Sequence, residues 1–109
     1  MQNRDELTLR ATRAAAKCGL SPMQLALLQN CAHQVYEEIG GDLEPDNRRK
    51  GTCKRSTILE VVTDAGRLEE TVKRKNGGMV LVAACRNYSL IDDLIGPTFP
   101  YDEYEVGVN

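Results

Sequence analysis

The stretch ILEVVTDAGRLEETVKRKNGG, residues 58–78, decides how this chain is built and whether it presents a surface for a ligand. Two readings of it are open. In the first, Ile58, Val61, Ala65, Leu68 and Val72 recur at spacings of 3, 4, 3 and 4 residues, the apolar stripe of one amphipathic helix. Glu69 with Lys73 and Glu70 with Arg74 then form i,i+4 pairs on the exposed face. An interior glycine at Gly66 costs only about 1 kcal/mol relative to alanine. In the second, Gly66 takes a positive φ at little cost, and the chain folds into two short helices with Val62 and Val72 meeting across the bend. The unbroken spacing favours the single rod. The bend is the reading that names a binding surface.

Val61 and Val62, Ala65, Gly66, then Thr71, Val72 and Arg74 carry a resemblance. The segment EVVTDAGRLEETVKR resembles the helix-turn-helix of lactose-repressor-type transcription factors, over residues 60–77 only. The resemblance implies a second helix that enters the major groove of duplex DNA, with Glu69, Glu70 and Arg74 at the positions that face base edges. A glutamate can accept a hydrogen bond from cytosine there. The same loose template also falls on AAAKCGLSPMQLALL, residues 14–28. The polar face that follows it, with Gln29, Asn30, His33 and Glu37, has no cationic cluster. A basic setting is what distinguishes the later stretch.

That setting is visible in the charge distribution. Residues 1–46 carry 4 basic and 7 acidic side chains, residues 47–75 carry 9 and 4, and residues 76–109 carry 1 and 5, for a net charge of −2. The overall balance excludes wholesale coating of a polyanion, but the basic middle gives nine candidate nucleic-acid contacts. Arg48, Arg49, Lys50, Lys54 and Arg55 form an arm for phosphates. Arg67, Lys73, Arg74 and Lys75 lie on the helical unit itself.

Around this centre the chain reads as mainly α. Asn3 and Glu6 open a helix over 4–18 that Gly19 closes. Ser21, Pro22 and Gln24 form a capping box and a proline start for a helix over 22–39, with Leu25, Leu28, Ala32, Val35 and Ile39 on one stripe. The short link between the two predicts an αα-hairpin. GGDLEPDNRRKGTCKR, residues 40–55, has no periodicity and reads as a mobile basic loop. Ser56 or Thr57 caps the unit over 57–75. MVLVAAC, residues 79–85, is allowed as a short buried strand or as a helix. SLIDDLIG, residues 89–96, predicts a short helix capped by Ser89. The rest, 97–109, is an extended acidic-aromatic tail whose Phe99, Tyr101 and Tyr104 could anchor in a protein partner's groove or fold over the chain's own basic segment. The expected architecture is a single-domain helical bundle over residues 1–96, plus that tail.

At 109 residues, 41% apolar and without tryptophan, the chain suits one domain with an aliphatic core. No apolar run reaches the roughly 18 residues of a membrane span, and the polar N-terminus is unlike a secretory signal. A soluble, cytoplasmic protein is the expectation. Cys18, Cys31, Cys53 and Cys85 lie at irregular spacings with no CxxC pair, which suits reduced thiols rather than a disulfide framework or a zinc site. His33 is the sole histidine and reads as a solvated helix residue. Asp92-Asp93 and Asp102-Glu103 have no context that would tune an acid or base. No enzyme, metal or cofactor is expected. Two function classes follow: a small DNA-binding regulator, or a non-enzymatic protein-interaction module acting through the tail and a helix face. The leucine-rich face of the second helix offers a surface for a homodimer.

Overall fold

Ser21 and Gln24 close the capping box that the sequence announces: the Ser21 N–H donates to Gln24 Oε1 at 2.8 Å and the Gln24 N–H donates to Ser21 Oγ at 3.2 Å. In the computed structural model, which describes residues 4–46 and 51–107 with Ala65 by its backbone alone, this box starts α2 (Pro22–Ile39). Before it runs α1 (Arg4–Cys18), ended by Gly19 at φ +72° with the Leu20 N–H returning to the Ala15 carbonyl at 2.9 Å. The expected Asn3 cap lies outside the described residues.

The quoted stretch is bent. Helix α3 (Arg55–Thr63) ends in a 3-10 turn, Asp64–Gly66, and α4 (Arg67–Arg74) begins after Gly66, whose φ is +72°. The buried set explains why. Helix α3 buries Ile58, Leu59 and Val62, and α4 buries Leu68, Thr71 and Val72. At about 100° per residue, Thr71 would lie roughly half a turn away from Val62 on a straight helix, so one rod cannot bury both. The left-handed residue rotates α4 until it can. Val61, which the 3-4-3-4 stripe places inward, is only half-buried. The favoured single rod is thereby replaced by two helices.

Residues 79–85 are not a strand. They form α5 (Met79–Cys85), followed by α6 (Tyr88–Ile95). Helix α5 buries Leu81, Ala84 and Cys85 while Met79 and Val80 stay exposed, a 3.6-residue pattern that a strand could not produce. Both strands among the described residues lie elsewhere and pair with each other. β1 (Thr52–Lys54) and β2 (Glu103–Glu105) run antiparallel, with Cys53 opposite Tyr104. The segment read as a loop therefore contains a strand, and the segment read as a free tail supplies its partner.

Helix α2 runs through the centre. Leu28, Ala32 and Val35 are at most 2% exposed, covered by α4, α6 and the 3-10 turn Gly96–Thr98 that follows α6. Of the leucine-rich face expected to serve a homodimer, Leu28, Ala32, Val35 and Ile39 are buried within one chain, and Leu25 is half-buried. Helix α1 packs chiefly on α6 rather than along α2. The result is a small, mainly α, single domain.

Two glycines test this geometry in opposite ways. A Cβ on Gly66 meets nothing within 4 Å, so Gly66→Ala should cost only the left-handed backbone penalty, about 1–2 kcal/mol. Were the helix continuous, the same change would stabilise by about 1 kcal/mol, so the sign of the shift in urea unfolding is decisive. Gly77→Ala should cost more, because its Cβ would sit 2.3 Å from Val72 Cγ1 and 2.9 Å from the Val72 carbonyl oxygen.

Candidate functional site

The outer face of α4 is where the basic residues meet the bend. Thr63 Oγ1 donates back to the Leu59 carbonyl at 3.0 Å, and Asp64 at the end of α3 is already extended, with ψ 153°. After Gly66, Leu68, Thr71 and Val72 pack inward against α2, α3 and α5. Arg67, Glu70, Lys73, Arg74 and Lys75 remain outside.

Ion pairs fix much of this face. The Arg86 guanidinium, just beyond α5, donates to Glu69 Oε1, and Lys73 Nζ lies 3.3 Å from the same carboxylate oxygen. The hydrogen bond from Arg86, then that from Lys73, holds the Glu69 carboxyl below its usual range. A lowered value means the clamp is present at neutral pH and is lost as pH falls through it. Arg74 reaches across to Glu38 of α2 at 3.4 Å and to Thr71 Oγ1 at 3.4 Å. Arg67 and Lys75 have no ion-pair partner among the described residues. Between α2 and α4 lies a groove of about 210 Å³ whose lining includes Glu38, Arg67, Glu70 and Arg74.

The other candidates are dispersed. Arg48, Arg49 and Lys50 lie outside the described residues. The residues that flank them are held by backbone bonds: the Asp46 N–H donates to the Thr52 carbonyl, and the Val106 N–H to the Gly51 carbonyl at 2.7 Å. Gly107, next along, donates to the Gly40 carbonyl at 3.2 Å. Gly40 follows Ile39 at the end of α2, so the last described residues of the chain are tied to that end. Lys54 is half-exposed, 3.9 Å from Asp46. Arg55 does not project for a phosphate. It points inward, donating to the Phe99 carbonyl through Nε and to the Gly96 carbonyl at 3.3 Å, while its own N–H donates to the Asp102 carbonyl at 2.8 Å.

The aromatic residues expected to grip a partner are mostly used internally. Phe99 is 0% exposed. It packs edge-on against Tyr36 and Tyr104, all three ring pairs at 5.7 Å. Tyr36 Oη donates to the Glu105 carbonyl at 2.7 Å. Tyr101 alone of the three tail aromatics stays open, at 62% exposure. A free tail would leave these rings in water. Docking buries Phe99 instead, so residues 97–107 belong to the domain. Arg86, Glu38 and Tyr36 went unnoticed in the sequence because each acts across elements, where no local spacing points to it.

All four cysteines are free thiols, with Cys31, Cys53 and Cys85 buried and Cys18 half-buried. Burial raises the thiols of Cys31 and Cys53 and pushes Cys85 up to about 12. His33 Nδ1 lies 3.3 Å from Glu37 Oε1 on the exposed side of α2. Among the described residues no group of three or more His, Cys, Asp or Glu side chains is placed to hold a metal ion, and no helix is long and apolar enough to cross a membrane.

These features define a small helical domain with a bent helix pair and a partly neutralised basic face. Compared with known protein families, with curated proteins and with solved structures, the chain matches none.

The thiols give a direct check on burial. At about pH 8 a disulfide reagent should modify Cys18 quickly and the other three only on unfolding. Since an unfolded thiol ionises near 9.0 and Cys85 near 12, the contribution of Cys85 to stability is complete below 9.0 and declines as pH rises between the two values. Urea midpoints measured through that alkaline window in wild type and Cys85→Ala should converge as pH rises.

Proposed function

We propose that this chain is a small DNA-binding regulatory protein that presents α4 to the major groove. The observation that carries this reading is the left-handed turn at Gly66, which makes α3 and α4 two short helices with a shared apolar inner side. A helix supported in this way from behind, by α2 and α5, has the rigidity that groove docking needs. The charge on its outer side supports the same reading. Arg67 and Lys75 are uncommitted among the described residues. The Arg74–Glu38 pair joins two side chains that are 57% and 49% exposed, and exposed pairs contribute only about 0–1 kcal/mol, so a phosphate can displace Glu38. Glu69 is drawn onto Arg86 and Lys73, which removes one of the two acids that would repel the backbone of DNA. Arg48, Arg49 and Lys50 would add phosphate contacts without base choice. Four unpaired thiols suit a reducing, cytoplasmic setting.

A second reading, a non-enzymatic protein-interaction module, is favoured by the exposed apolar side chains of Met79, Val80 and Tyr88 at 89%, 42% and 72%. Electrophoretic retardation of duplex DNA at a series of salt concentrations separates the two. On the DNA reading affinity falls steeply with salt, and Arg67→Ala and Lys75→Ala each reduce the slope of log K against log salt by about one. Absence of retardation at low ionic strength overturns it and leaves the module.

A further inference from the structure

Away from α4, a cleft of about 400 Å³ opens between α1, α2 and the turn after α6, within the size range of small-molecule sites. Arg4, Asn30, His33 and Thr98 line it together with Ala11 and Leu25, and no carboxylate is among its lining residues. Several neighbouring donors are already committed. Thr8 and Thr12 donate to the Arg4 and Thr8 carbonyls at 2.9 and 3.0 Å, and Gln29 Nε2 donates to the Leu94 carbonyl at 3.0 Å. Three side chains are not, and a fourth is engaged at one ring nitrogen only. Arg4 has no ion-pair partner among the described residues. Asn30 is exposed, and its amide makes no hydrogen bond among the described residues. Glu37 engages His33 through Nδ1, so Nε2 can donate to a ligand oxygen as the imidazolium or accept from a phosphate hydroxyl as the neutral ring. Thr98 Oγ1 is buried without a hydrogen-bond partner among the described residues, a condition that folded proteins nearly always avoid.

We propose that this cleft binds a small organic phosphate monoester. The phosphate oxygens meet Arg4, Asn30 and His33, and the carbon part lies on Ala11 and Leu25. Thr98 lines the cleft with its Oγ1 buried, so engagement of that hydroxyl by the ligand requires a χ1 rotation. Donors from Arg4, Asn30 and Thr98, with His33 adding a fourth as the imidazolium, suit the three terminal oxygens of a phosphate better than the two of a carboxylate. None of these residues belongs to the α3–α4 unit, so the site stands or falls independently of DNA binding.

The test is a titration of the full chain, followed by backbone amide chemical shifts, with phenyl phosphate, inorganic phosphate and benzoate. Phenyl phosphate should give saturable shifts at 30–33 and 97–99 and bind about tenfold tighter than inorganic phosphate, because its ring covers apolar surface. Benzoate should bind more weakly than phenyl phosphate. Arg4→Gln and His33→Gln should each weaken phenyl phosphate by about tenfold. Thr98→Val is the most telling variant. Without ligand its urea midpoint should be unchanged or higher, since an unsatisfied hydroxyl is removed, while its affinity for phenyl phosphate should fall about fivefold. Shifts that do not saturate, benzoate binding as tight as phenyl phosphate, or unaltered affinity in Thr98→Val would each overturn the proposal.

Discussion

At Gly66 the backbone must turn left-handed for Val62 and Thr71 to face the same interior, and the placement of everything beyond that point depends on this. Each of the two helices is too short to be stable alone. Their apolar residues face α2, so packing rather than propensity holds them. A side chain at position 66 would meet open space, which identifies the constraint as purely conformational. Four residues into α4, Thr71 is buried with its Oγ1 receiving a hydrogen bond from Arg74. A polar group is thus accommodated at the contact without an orphaned oxygen. Gly77 then lets the chain pass against Val72 before α5 begins, where any larger residue would collide with the Val72 carbonyl.

A second fastening joins the chain's middle to its end. Arg55 stands where β1 becomes α3, and its guanidinium and backbone take three carbonyls from residues 96–102. That places Phe99 under Tyr36 and Tyr104, where three edge-on ring contacts each add about 0.5–1.5 kcal/mol beyond area burial. The short β1–β2 pair is marginal by length. It persists because the aromatic cluster and Arg55 bring its strands together. An arginine counted among the phosphate contacts by its neighbours in sequence is therefore a structural side chain, and an aromatic counted as a partner anchor is a core residue.

The parts legible in the sequence are those whose causes are local. Helix α2 was announced by Ser21, Pro22, Gln24 and an apolar stripe of four turns. Helices α1 and α6 were announced by periodicity and terminal glycines, although α6 starts at Tyr88 with Ser89 bonded to Asn87 Oδ1 instead of capping. The bend was not legible, because Ile58, Leu68 and Val72 satisfy both a straight stripe and the bent packing. Only the burial of Val62 and Thr71 separates the two. MVLVAAC was undecided for a similar reason: seven apolar residues carry no phase until a partner chooses the inner face. The hairpin was invisible, since TCK and EYE are three residues each and lie about 50 residues apart, with too little alternation for a strand signal. Site residues followed the same rule. The basic composition of 47–75 could be counted, but which cations face solvent depended on Glu38 and Arg86, far away in sequence.

Those two distant partners bear on how an acidic chain can carry a basic face. Glu69 would weaken any anion contact made by α4 if its charge faced outward. Arg86 and Lys73 hold it at the edge between α4 and α5, so one carboxylate is balanced by two cations and the local sum is positive. Glu38 does the reverse for Arg74, lending a weak and exposed partner that an anion can replace. Pairing of Glu69 with two cations, together with the exposed pairing of Arg74 with Glu38, leaves the outer side of α4 with more cations than acids. On the proposed DNA reading, association would involve displacement of Glu38 as well as release of counterions. Its salt dependence would then be shallower than nine basic residues suggest, because only the cations left unpaired or readily freed would contribute.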